Sequence, residues 1–332
     1  MKQAFAFVVF LSAACACAAE PSRVPPPPDD YAARSAWEQA ALVKPEAVKR
    51  VLAELRKNTK YDYAKWAPKA EALVAKLGET LDALEGSDAA AKAAAIARVA
   101  DYRAAMLANP VLDFDEILCV KRRCAKDNRA RCAPRQAFGG TSAGMTGLNA
   151  ENHMVAQRKG YDNEICVLSD FRAAPAGQKW RTIYRPKAAS ESEMPIVRDI
   201  DLDFDASRIL FTGYKGTNNL FGVYEVPASG AETARLVSPE DGKFDVHWWD
   251  ASYLPNANQV VMLGTAAYQY LPCEDGNMPM AVIYRVDRKT GEVRQLTYEQ
   301  DSDYTPSVTH DGRILFTRWE YSDIPHFFSR IL

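Results

Sequence analysis

Two hydrophobic rhythms divide the chain. Between about residue 31 and Pro110 the apolar positions recur at helical spacing, and from Asp113 onward they fall into short runs bounded by turns. In the first stretch Ser35-Ala36-Trp37-Glu38 has the capping-box pattern that opens a helix. Pro45 suits the first turn of a second helix, on which Val48, Val51, Leu52 and Leu55 share a face. Leu73, Val74, Leu77, Leu81 and Leu84 predict a third, ended by Gly86, with Ser87 capping a fourth that runs towards Met106. Such stripes predict the core of a small helical bundle; a partner-binding face is the other use of the same pattern.

The second rhythm is that of strands. Glu116–Val120, Glu164–Leu168 and Trp180–Tyr184 come first. Then a turn followed by a β-branched and aromatic run occurs three times, in Asp205–Thr212, Asn256–Leu263 and Asp311–Thr317, at intervals of about fifty residues, the range of propeller blades. Leu220–Val226 with Ala234–Val237, and Ala281–Val286 with Val293–Leu296, supply further strands between the copies. With no long helical pattern in this half, the expectation is a mainly β fold. It is a partial β-propeller of about three blades plus one strand, preceded by a small α-helical segment. Ile314–Trp319 is expected to begin a blade whose other strands are absent, leaving an open edge.

The ends and the composition add a compartment. Lys2, the apolar run Ala4–Leu11 and the small residues around Ala16-Cys17-Ala18 form a secretory signal peptide over residues 1–19. Residues 20–30 hold a proline-rich tether, residues 31–109 the helical segment and residues 110–332 the partial propeller. The expected location is exported, periplasmic or extracellular, with Cys15 and Cys17 in too poor a setting to favour lipidation. No stretch approaches the roughly 20 apolar residues of a membrane span. Among 332 residues, 41 Lys and Arg nearly balance 43 Asp and Glu, so no bulk charge recruits nucleic acid. Of the cysteines beyond the signal peptide, Cys124 and Cys132 lie close enough to bridge a loop. The basic stretch from Lys121 to Arg135 lacks interleaved aromatics and reads as a solvated loop.

Three stretches carry a family resemblance: Arg198-Asp199-Ile200-Asp201-Leu202-Asp203-Phe204-Asp205, Ser252-Tyr253-Leu254-Pro255-Asn256, and Asp303-Tyr304-Thr305-Pro306-Ser307-Val308 through Arg318-Trp319-Glu320-Tyr321. They resemble the hydrazine synthase alpha-subunit middle-domain family, a propeller module similar to TolB-type and WD40-like blades. The strand Asp113–Arg122 looks like the one with which those domains begin. The resemblance implies c-type haems on domains flanking the propeller. Covalent haem attachment needs C-x-x-C-H, and the sequence contains none, so no cofactor is expected in this chain.

The remaining chemistry is sparse. Gly140-Thr141-Ser142-Ala143-Gly144 matches the nucleophile-elbow pattern, but the residues before it make a poor strand, which leaves a serine hydrolase using Ser142 as a minor alternative. The alternating Asp199, Asp201, Asp203 and Asp205 lack the Gly and Glu of a calcium loop and read as solvated acids on one strand face. Candidate ligand-binding residues are His247 and Trp249 in one aromatic cluster, with Asp250 as the acid beside it, and Asp303, Tyr304, Arg318, Trp319, Glu320 and His326 in another. The leading expectation is an exported propeller binding or scaffold module without catalysis of its own, whose partner is a protein or further C-terminal blades. The alternative is a subunit of a multihaem redox complex related to hydrazine synthase.

Overall fold

The computed structural model describes residues 35–57, 60, 62–124, 159–173, 177–216, 220–240, 245–256, 258–271, 279–320 and 326–331. The proline tether, the Gly140–Gly144 loop with Ser142, and Cys132 lie outside the described residues. The chain forms two compact units, one holding the helices together with residues 169–179 and the other holding the sheets.

In the helical unit, α1 (Ala36–Ala41) opens with the expected capping box: the Ser35 hydroxyl accepts the Glu38 N–H at 3.2 Å, and the Glu38 carboxylate accepts the Ser35 N–H at 2.8 Å. Pro45 starts α2 (Pro45–Lys57), which buries Val48, Leu52 and Leu55, whereas Val51 sits at the edge of the stripe, 37% exposed. The expected third helix is two, α3 (Ala67–Ala75) and α4 (Leu77–Glu85), separated at Lys76. The last helix, α5 (Ala89–Leu107), is capped by Asp88 rather than Ser87. The Asp88 carboxylate accepts the N–H groups of Ala90 and Ala91 at 2.8 and 3.2 Å. Inside, the Trp66 indole donates to the Ala105 carbonyl at 2.6 Å, and Thr80 joins the Tyr102 hydroxyl and the Arg98 guanidinium at 3.1 and 2.9 Å. These bonds satisfy the polar atoms that a helical core otherwise strands.

The second unit contains four sheets. The first has the order β1 (Glu116–Cys124), β2 (Tyr161–Ser169), β3 (Lys179–Tyr184). The next two are four-stranded antiparallel meanders: β4 (Val197–Leu202), β5 (Arg208–Tyr214), β6 (Phe221–Pro227) and β7 (Arg235–Leu236), then β8 (Trp248–Tyr253), β9 (Gln259–Gly264), β10 (Val282–Asp287) and β11 (Val293–Gln295). The fourth runs β12 (Asp303–Val308), β13 (Ile314–Glu320), β14 (His326–Ile331).

This order corrects the phase of the repeat. The three similar runs are second strands (β5, β9, β13), and the turn that precedes each is the hairpin from a first strand (β4, β8, β12). Ile314–Trp319 therefore does not begin a sheet: β12 pairs with one side of it and β14 with the other, Leu315 facing Ile331 and Glu320 facing His326. The first strands are harder to read, β8 and β12 above all, because each is interrupted by an irregularity that breaks its alternation.

β5 and β9 read as continuous apolar runs because both of their faces are buried, whereas on β13 Ile314 and Phe316 are buried and Leu315 is exposed. On β9, Val260 and Met262 enter a core shared with Leu210 and Val223 of the preceding sheet, while Val261 and Leu263 enter one shared with Ile314 and Phe316 of the following sheet. On β5, Leu210 joins that first core and Ile209 and Phe211 face Ile165 and Val167 of β2. Each sheet is thus apolar-packed on its neighbours, and the first strands come to lie side by side, β8 against both β4 and β12. Gly264 permits one close approach, since a Cβ there would stand 2.3 Å from the Trp248 ring opposite it.

Candidate ligand-binding site

The irregularity in the first strands is the same in all three. The register shifts between Arg198 and Asp201 on β4, between Trp249 and Ser252 on β8, and between Tyr304 and Ser307 on β12. At each bulge one non-glycine residue takes a left-handed conformation: Asp199 at φ 50°, Asp250 at φ 50° and Thr305 at φ 44°. Such backbone costs about 1–3 kcal/mol per residue and is held only where its surroundings over-determine it. Three copies in adjacent strands make a repeated structural device rather than a local accident.

The bulges are tied across the sheets by polar side chains. Asp201 Oδ2 accepts the Tyr253 N–H of the next first strand at 2.8 Å, and the Asp250 carboxylate accepts the Thr305 N–H of the one after. The Asp250 N–H donates to Thr212 Oγ1 at 2.9 Å, and Ser252 Oγ donates to the Pro306 carbonyl at 3.0 Å. Arg198, only 1% exposed, donates to Asp199 at 2.6 Å and lies 5.4 Å from the centre of the Phe221 ring.

The electrostatics of this seam are unusual. Burial pushes the Asp201 carboxyl up to about 7, with the charge of Asp203 adding to it and the Tyr253 N–H opposing. Burial and the neighbouring Asp199 hold Asp250 well above the usual carboxylate range, against the attraction of Arg198. Asp250 is partly exposed as a residue, yet its Oδ2 is buried and has no hydrogen-bond partner among the described residues. The upward shift favours the neutral carboxylic acid, which in that form can donate one hydrogen bond and accept another. The four acids do not form the expected solvated ladder. The bulge breaks their period, Asp203 is 3% exposed, and it binds Ser207 and Arg208 in the β4–β5 turn. Among the described residues no three His, Cys, Asp or Glu side chains are grouped to hold a metal ion.

The structure separates the residues singled out from the sequence. His247 Nδ1 accepts the Phe221 N–H at 3.3 Å, and its ring meets the edge of Trp249 at 6.4 Å. Trp249 is fully buried in the core between the third and fourth sheets. Asp303, also fully buried, accepts Arg318 Nε at 2.8 Å and the Thr297 hydroxyl at 2.5 Å. Burial still raises its carboxyl despite those donors. Tyr304 packs in the core shared by the second and third sheets, and Arg318 also reaches Glu299 at 3.0 Å. Trp319, Glu320 and His326 lie on β13 and β14; their side chains are outside the described residues, as is that of Cys124 at the end of β1. Arg198 and Thr305 are not among the sequence candidates, and Asp250 enters there only as the acid beside the His247–Trp249 aromatic cluster. Their signal was present as an arginine or aromatic, a short polar residue, a spacer and then Asp or Ser: Arg198-Asp199-Ile200-Asp201, Trp249-Asp250-Ala251-Ser252, Tyr304-Thr305-Pro306-Ser307.

A scan against protein-family models finds no match, and no curated protein matches the chain. Solved structures that resemble it include TolB from Acinetobacter baumannii, with 16% identity over 51% of this chain and 35% of that one at a TM-score of 0.34. Hydrazine synthase from Kuenenia stuttgartiensis shares 13% identity over 65% of this chain and 30% of that one, at a TM-score of 0.42. An oligogalacturonate lyase in complex with manganese shares 13% identity over 65% of this chain and 47% of that one, at a TM-score of 0.36. The chain spans from 30% to 47% of the length of these three structures.

Proposed function

We propose that the protein is an exported binding or scaffold module of the β-propeller type, and that the seam of bulged first strands is its recognition surface. The observation that carries this reading is the threefold recurrence of a strained, non-glycine bulge residue, with one buried Asp250 oxygen left without a partner. Strain of this kind is retained where it aims side chains at a ligand. Sheets that succeed one another as antiparallel meanders, with first strands side by side and apolar faces packed sheet to sheet, are the arrangement of propeller blades. Lys2, the apolar run Ala4–Leu11 and the Ala16-Cys17-Ala18 pattern support export. Among the described residues, no helix is long and apolar enough to cross a membrane. A carboxyl held towards its neutral form, in the field of the buried Arg198 guanidinium, suits a polar group such as a backbone amide or hydroxyl of a partner.

The test is affinity capture from the envelope fraction with the tagged full-length chain, run beside Asp250→Asn and Asp250→Leu. Asn keeps an acceptor for the Thr305 N–H, and Leu removes every polar contact. The expected result is a saturable partner that Asn retains in part and Leu loses. Folding of both variants is checked by circular dichroism. A folded wild-type chain that captures nothing, or capture indifferent to Leu at this position, overturns the proposal.

A further inference from the structure

The first sheet holds a chemical pair that the seam does not use. Glu116 meets Ser169 at 3.0 Å and Lys121 meets Glu164 at 3.6 Å, so each step forward along β1 is a step back along β2. The same register sets Cys119 directly opposite Cys166. The contacts agree: Cys166 Sγ donates to the Cys119 carbonyl oxygen at 3.7 Å, Cys119 Sγ donates to the Ile117 carbonyl oxygen at 3.6 Å, and each thiol shifts the other's acidity. Residues directly opposite in an antiparallel pair have Cα atoms about 4.5–5.5 Å apart, inside the roughly 4.4–6.8 Å window that a disulfide spans. Both sulfurs are present as thiols.

We infer that Cys119 and Cys166 form a reversible cross-strand redox pair, converted to a disulfide by exchange with a disulfide co-reactant. Their surroundings divide the labour. Cys119 is partly exposed and Cys166 is fully buried, so an incoming reagent reaches Cys119 first. The Cys166 thiol and the nearby Lys121 ammonium favour the Cys119 thiolate, while Cys119 and burial hold Cys166 protonated. The Cys119 thiolate attacks one sulfur of the co-reactant, forming a mixed disulfide and expelling one thiolate. Cys166 then passes its proton to that thiolate, attacks the Cys119 sulfur and expels the second. Two protein thiols are oxidised by two electrons, one disulfide is reduced to two thiols, and the new bond closes the loop between β1 and β2. The charged groups near the pair are Lys121 and Glu164, themselves ion-paired and buried.

Trypsin makes the assignment direct. Cleavage after Arg103 and Lys121 leaves Cys119 alone in residues 104–121, and cleavage after Lys159 and Arg172 leaves Cys166 alone in residues 160–172. The full chain, equilibrated with oxidised glutathione, alkylated and digested, should yield these two peptides joined, lighter by two hydrogens than their sum, and separated by dithiothreitol. Cys119→Ser should leave Cys166 as an unmodified thiol, because the reagent has lost its point of attack. Recovery of the two peptides separately alkylated or glutathionylated, or Cys119 joined to Cys124, Cys132 or Cys273, overturns the inference. The wild-type digest decides it even if the variant fails to fold.

Discussion

Asp201 offers a quantitative test of the electrostatics of the seam. Its carboxyl is displaced from the ordinary 3.8 to about 7, chiefly by burial. The native protein therefore holds this proton across a window in which the unfolded chain has already released it. Stability falls as pH rises wherever the native state binds the extra proton. The loss from this one group begins near the unfolded value and is complete once pH passes about 7. At about 1.4 kcal/mol per unit, the full cost is on the order of 4 kcal/mol. Asp201→Asn keeps an oxygen to accept the Tyr253 N–H, now 2.8 Å from Oδ2, and cannot ionise. It also removes one of the charges that raise Asp250, an effect of the same sign. In urea unfolding at a series of pH values, the variant and wild type should agree most closely at about pH 4 and diverge progressively. By about pH 8 the variant should be the more stable by up to about 4 kcal/mol. Two curves that run parallel over this range would refute the assignment of a buried, proton-holding Asp201.

Other substitutions test the packing and capping. Gly264→Ala places a Cβ against the Trp248 ring and should cost about 1–3 kcal/mol in the urea midpoint of the sheet unit. Glu225→Ala removes the carboxylate shared by Arg235 at 2.6 Å, the Tyr253 hydroxyl at 2.8 Å and the nearly buried Arg288, and should cost about 3–5 kcal/mol by the same assay. Asp88→Ala should destabilise the helical unit by about 1 kcal/mol while Ser87→Ala changes little, because Asp88 alone of the two caps α5. Equal effects of the last pair in thermal melts would count against that cap.

Much of the architecture was legible because burial on two faces leaves a continuous apolar run on β5 and β9, and a similar run marks β13 although Leu315 there is exposed. The helical stripes were legible for the same reason, with Leu52 and Leu55 as their anchors. Helix ends were less so: nothing in the pattern of Leu73 to Leu84 marks the break at Lys76, and Ser87-Asp88 offers two adjacent caps of similar propensity. The first strands were the hardest to see. A bulge shifts alternation by one residue, so Asp199 and Asp201, which sequence spacing puts on one face, part company; Asp201 bonds the next strand, and Asp203, past the end of β4, turns into the hairpin. The juxtaposition of Cys119 and Cys166, 47 residues apart, depends on the register of β1 and β2 and has no local signal at all.

The acids of the seam follow from the bulges rather than from a need for surface charge. A bulge interrupts the ladder, and the backbone N–H groups beside it must find acceptors elsewhere. The Tyr253 N–H finds Asp201, and the Thr305 N–H finds Asp250, in each case on the first strand of the preceding sheet. Each carboxylate is thus an acceptor for its successor, and at β12 Thr305 and Ser307 stand in the places of Asp250 and Ser252. One oxygen per acid suffices for that structural role. At Asp250 the second oxygen is buried and has no partner among the described residues, and nothing in the linkage of the sheets requires it. An uncompensated buried acceptor or donor costs about 1–3 kcal/mol, a cost that a bound polar group would relieve. Among the described residues Asp250 is thus a place where the seam has hydrogen-bonding capacity left for a ligand.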